Sequence, residues 1–68
     1  MREYKNSTVL RMIGEWIHDE RNRKILIDRL IRGLTYEQIA ERHYLSVTQV
    51  KRIVYREQDK LFRHMHMD

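Results

Sequence analysis

The stretch GLTYEQIAERHYLSVTQVKRIVYREQDKL, residues 33–61, decides how this chain folds. Thr35 stands three residues ahead of Gln38, and Ser46 stands three ahead of Gln49. In such a capping box the hydroxyl accepts from one orphan backbone N–H of a helix start, and the glutamine reaches back to another. Two boxes this close fix two helix starts, one near Thr35 and one near Ser46, with a tight corner between them. Ile39 and Ala40 on the first helix, Leu45 at the corner, and Val50 and Ile53 on the second then point into one shared core. Ala40 is small, which lets the second helix cross closely over the first.

The layout is that of a helix-turn-helix. Thr48, Gln49, Lys51, Arg52, Tyr55 and Arg56 face outward from its second helix, and a polar, basic face of this kind suits the major groove of DNA. The segment resembles the fourth region of sigma factors and the sigma-like regulators of bacteria and phages. Gly33 to Ala40 looks like the approach to that family's first reading helix, and Leu45-Ser46 followed by Val50, Arg52 and Ile53 looks like its recognition helix. Many helix-turn-helix proteins carry glycine at the corner, where this chain has Tyr44. Because a tyrosine resists positive φ, the corner is expected to keep φ negative or to be a residue longer.

Working outward, the chain has no proline and only two glycines, which favours helices with short connections. Ser7 is the expected N-cap of a first helix, in which Val9, Met12, Ile13, Trp16 and Ile17 recur on one face. Gly14 inside that helix is expected to mark close packing, since glycine there costs about 1 kcal/mol against alanine. Asp19 caps a second helix whose apolar stripe is Ile25, Leu26, Leu30 and Ile31, with Ile27 toward its side; Gly33 ends it. The fold expected is an all-α, four-helix single domain over residues 1–68, with helices at roughly 8–18, 20–32, 35–43 and 46–63. Val54, Leu61, Phe62 and Met65 exceed what a three-helix core requires. Together with Val9, Met12, Ile13, Trp16 and Ile17, Leu61 and Phe62 are therefore assigned to the core or to a dimer contact.

Sixty-eight residues make a small domain whose core is marginal unless helices pack well or a second copy adds buried area. Without cysteine there is no disulfide or thiolate metal site, in keeping with a reducing compartment. No apolar run is long enough to span a bilayer, and the N-terminus shows no signal-like apolar block. The expected location is the bacterial cytoplasm or nucleoid. A net charge of +4 and a pI near 9.8 point toward a polyanion. Residues 1–33 carry eight Lys+Arg against five acids and residues 34–68 carry six against five, so the excess lies ahead of the reading helix. Glu37, Glu41, Glu57 and Asp59 must then face away from any DNA.

In the docking usual for this fold, the first residues of the recognition helix meet base edges while the flanking helix ends hold phosphates. The base-contact candidates are Val47, Thr48, Gln49, Lys51 and Arg52: an adenine edge suits Gln49, guanine suits Arg52 or Lys51, and a thymine methyl suits Val47. If Gln49 is held by its capping role, Thr48 and Arg52 carry more of the discrimination. The phosphate candidates are Thr35, Tyr36, Arg42, Tyr55 and Arg56. His43 near the corner reads as a partly buried neutral histidine. His64, Met65, His66 and Met67 read as a frayed tail; no metal or cofactor is assigned. Lacking a Ser/His/Asp or Cys/His set and paired carboxylates, the chain is expected not to be an enzyme.

Double-stranded DNA is the expected partner, bound by a homodimer because one recognition helix reads few base pairs. The family resemblance adds RNA polymerase as a second partner. The competing functions are a module docking on polymerase or a sigma factor, and an accessory protein of phage DNA packaging or recombination.

Overall fold

A computed structural model describes residues 5–65, with Met65 only by its place in the last helix. His66 and Met67 of the tail lie outside that range. Four helices follow one another: α1 over Asn6–Trp16, α2 over Glu20–Leu26 prolonged by a π-helical turn at Ile27–Ile31, α3 over Tyr36–His43, and α4 over Val47–Met65. The all-α, four-helix expectation is met.

Helix starts behave as their caps dictate, except the first. Asp19 accepts from the Asn22 N–H at 3.0 Å. Thr35 and Gln38 exchange bonds of 2.9 and 3.1 Å, as do Ser46 and Gln49. Ser7 does not cap α1. That helix begins earlier than a Ser7 cap would place it, because the Val9 N–H already bonds to the Lys5 carbonyl at 3.1 Å, and Lys5 takes the capping position without a side-chain bond. It also ends at Trp16, two residues sooner than expected, since Ile17 is extended (φ −105°, ψ 111°) and leads into the Asp19 cap. Gly14 marks no close approach: it is exposed, and a Cβ built there meets nothing within 4 Å.

The core gathers Ile13 and Ile17 with Ile25, Leu26, Ile39, Ala40, Val50, Ile53, Val54 and Leu61. Val9, Met12, Leu45 and Val47 pack against it half-buried. Most of the apolar surplus is therefore absorbed within one chain. α1 lies against α2 and α4, and Leu61 at the far end of α4 is fully buried. Trp16 and Phe62 stay partly exposed. The Trp16 ring stacks on His64 with centroids 3.6 Å apart and planes 9° from parallel, so His64 belongs to an ordered helix end rather than to a frayed tail.

The π-helical turn changes the phase of the second helix. The Arg32 N–H bonds to Ile27, five residues back, at 3.0 Å; one extra residue in the turn rotates the side chains beyond it. Leu30 and Ile31 are only half-buried in consequence; Ile27, at the start of the turn, is half-buried as its side position implies, and Asp28 is buried. Its Oδ2 takes a bond from Arg42 Nε at 3.1 Å and lies 2.9 Å from His43 Nε2, and Arg32 Nε stands 3.8 Å from Oδ1. A carboxylate in an apolar stripe is thus the clasp between α2 and the end of α3. Gly33 then turns the chain at φ 70°, as a glycine after a helix does at little cost.

Candidate nucleic-acid interface

α3 and α4 meet at the corner Tyr44-Leu45-Ser46. The N–H groups of Tyr44 and Leu45 both reach the Ala40 carbonyl, the latter at 2.9 Å, which satisfies an orphan carbonyl at the end of α3 as a Schellman-type closure does. That closure needs a left-handed residue, and Tyr44 supplies it at φ 57°, ψ 42°. The expected negative φ or lengthened turn is therefore corrected. Tyr44 is the only non-glycine residue with positive φ among those described. Leu45 turns inward and Tyr44 outward.

Beyond the corner, Thr48, Gln49, Lys51, Arg52, Tyr55 and Arg56 are all exposed along α4. Val47 differs, being half-buried against the core. Gln49 spends its carbonyl oxygen on the Ser46 N–H at 2.9 Å, so its capping role competes with the bidentate grip on adenine. Thr48, Lys51 and Arg52 carry no such obligation. Among the described residues, Lys51 and Arg52 have no carboxylate partner, whereas Arg56 and Lys60 both serve Glu57, at 3.2 and 3.8 Å, and Arg63 serves Asp59 at 3.0 Å. Glu57 is buried. The helix is thereby split into a distal part whose cations are paired with carboxylates and a proximal part whose cations face solvent without them.

The start of α3 joins this surface. Tyr36 is half-buried and meets Tyr55 edge-to-face, with ring centroids 6.2 Å apart and planes at 82°. Arg29, from the π-helical turn, lays its guanidinium 4.3 Å from the Tyr36 centroid and donates from Nη1 to the Leu34 carbonyl at 2.9 Å. Lys51 Nζ stands 5.7 Å from the same ring. Cation–π contacts of this kind contribute about 0.5–1 kcal/mol each at exposed sites, enough to hold long side chains in place. A hydrogen bond with Tyr36, then the charge of that neighbour and slight burial, push the Tyr55 phenol above its ordinary pKa against the opposing pull of Arg29. The phenol therefore stays protonated at neutral pH.

Thr35 is exposed, but its oxygen already accepts from Gln38; the backbone N–H groups of Tyr36 and Glu37 in the first turn of α3 have no helical acceptor. Arg42, also exposed, is engaged with Asp28. His43 is the partly buried histidine expected. Two residues of consequence, Asp28 and Arg29, escaped the sequence reading. The signal for Asp28 was an acid among apolar positions from Ile25 to Ile31; for Arg29 there was none, because the π-helical turn sets its direction.

A short capped helix meeting a longer one at a tight corner, the second polar and basic on its outer face, is a helix-turn-helix. Residues 19–61, well over half of the chain, match the family described as sigma-70, region 4, and the chain belongs to that family. Neither the curated proteins nor the solved structures yield a match to it. Among the described residues no helix is long and apolar enough to cross a membrane.

Proposed function

We propose that this domain is a sequence-specific regulator of transcription that binds double-stranded DNA with the proximal half of α4 in the major groove. The observation that carries the reading is the pair of cations Lys51 and Arg52, without a carboxylate partner among the described residues, beside Thr48 on an exposed helix face in a region of sigma-70 region 4 type. Thr48, Lys51 and Arg52 meet base edges, with Gln49 secondary because of its cap. Val47 reaches a base only with the part of its side chain that the core leaves free. Tyr36, Tyr55 and Arg29 hold the phosphate backbone alongside the N–H groups at the start of α3, while Thr35, Arg42 and Arg56 stand further back, each already engaged. The chemistry is binding alone, without a catalytic step.

Selection of bound duplexes from a random pool tests this reading. An enriched motif, bound with an affinity that falls steeply as salt rises, supports it; a pool that never departs from random composition refutes sequence-specific recognition. Two copies on an inverted repeat would supply the specificity that one helix lacks. Among the described residues, Leu10, Trp16 and Phe62 offer apolar surface for such a dimer, and sedimentation at tens of micromolar with and without the selected duplex decides it. The sigma-70 family description also supports RNA polymerase as a partner, which co-purification in the absence of DNA would reveal. Both partners fit work in the bacterial cytoplasm or nucleoid.

A further inference from the structure

The corner explains why residue 44 is left-handed, but not why it is a tyrosine. Its backbone is left-handed, a conformation in which an L side chain crowds the carbonyl that follows, so that glycine, and after it asparagine, is favoured there. Its side chain is also unused: the residue is 95 % exposed, so packing returns nothing for the strain. The corner needs only the backbone of this residue, whose N–H bonds to Ala40, and the inward turn of Leu45. Glycine would make the same corner with less strain. Backbone strain retained without an internal return points to an external contact.

The position of Tyr44 indicates which contact. It lies two residues before Ser46, which caps α4, and thus at the end of α4 that leads into the groove. In helix-turn-helix docking the residues flanking that end lie along the sugar–phosphate backbone. A phenol combines an apolar body with a polar tip, matching a deoxyribose with a phosphate oxygen beside it. The bond that ties this residue to the domain is the backbone one to Ala40, which leaves the side chain to the solvent.

We infer that Tyr44 is a DNA-contacting residue, its ring lying against a deoxyribose at the groove edge and its hydroxyl donating to a phosphate oxygen. The inference rests on the DNA-binding function proposed above. The strain at the corner is then the stability given up to hold the ring outward, and it returns as affinity only when the duplex is bound.

The test compares the wild-type chain with Tyr44→Gly, Tyr44→Asn and Tyr44→Phe, measuring Tm without DNA and Kd on the duplex selected by the wild type. Tyr44→Gly is expected to raise Tm by about 2 °C, since the strain relieved exceeds what the freedom of glycine in the unfolded chain takes back and no packing is lost, and to weaken binding about tenfold. Tyr44→Asn should move both quantities in the same directions. Tyr44→Phe should keep the wild-type Tm and lose about threefold in affinity, the worth of a hydrogen bond to a phosphate that stays open to water at the groove edge. Tyr44→Gly and Tyr44→Asn binding as tightly as the wild type would overturn the inference, and so would a lower Tm in both, which would assign the ring a structural role. A wild-type chain that binds no duplex in the same titration refutes the parent function and this contact with it; wild-type binding matched by Tyr44→Gly refutes only the contact.

Discussion

Replacing Asp28 with alanine removes the clasp between α2 and α3, and the geometry sets the size of the loss. Asp28 is 3 % exposed; its carboxylate accepts from Arg42 Nε at 3.1 Å and lies 2.9 Å from His43 Nε2. Hydrogen bonds to a charged group are worth about 1.5–3 kcal/mol each. The three basic partners do not lose equally, however. The side chains of Arg32 and Arg42 are 57 % and 51 % exposed, so water replaces the missing carboxylate and their share falls toward the surface value of about 0.5–1 kcal/mol. His43, at 14 %, is left with a polar nitrogen facing a site that water enters poorly, a loss of about 1–3 kcal/mol. The expected destabilisation by Asp28→Ala is about 2–4 kcal/mol. A domain of this length has only about 3–10 kcal/mol in total, so the variant should melt roughly 10–25 °C below the wild type. Asp28→Asn keeps an acceptor oxygen and should lose about half as much. Thermal and urea unfolding followed by circular dichroism give both quantities, and a double-mutant cycle with His43→Ala isolates the pair. Asp28→Ala unfolding within about 0.5 kcal/mol of the wild type would refute the clasp and the account of the π-helical turn that places it.

Gly14→Ala should stabilise the domain by about 0.5–1 kcal/mol, because the position is helical and open and the glycine contributes only backbone entropy to the unfolded chain; a rise in the urea midpoint at unchanged m value is the readout. Ser46→Ala should cost about 1 kcal/mol of stability and weaken duplex binding further than that loss explains, since the first turn of α4 carries Thr48 and Gln49; binding and unfolding measured on the same sample separate the two. Arg52→Ala should cost about 1–3 kcal/mol on the selected duplex and much less on a shuffled one if the guanidinium grips a base edge. Equal losses on both duplexes would move Arg52 to the phosphate backbone.

Much of the fold was legible because its signals are local. A hydroxyl followed three residues later by glutamine specifies a helix start from four residues alone, and both boxes formed, as did the Asp19 cap and the Gly33 stop. Ser7 misled because it is a good cap standing just inside the point where the hydrogen bonds begin; only the closure of Val9 onto Lys5 decides between neighbouring starts. Asp28, Arg29 and Tyr44 were less legible for a different reason. The phase of Asp28 and Arg29 depends on a π-helical turn, whose extra residue is invisible to a search at the α-helical period. The conformation of Tyr44 follows from the shortness of the corner, a tertiary demand that overrides the preference of the side chain. On the reading face, residue type proposes what can touch DNA, while competition inside the domain sorts the candidates, holding Gln49 in a cap, Arg42 on a carboxylate and Val47 partly in the core.

Trp16 is the chain's single tryptophan, and its stacking on His64 makes its emission a gauge of one junction. His64 lies twelve residues beyond Arg52 along α4, about 18 Å at the rise of an α-helix. The optical signal and the proposed reading surface thus lie well apart along one rod. Fluorescence can follow whether α1 is seated while DNA is added at the far end, so that folding and recognition are observed separately in one cuvette without a label.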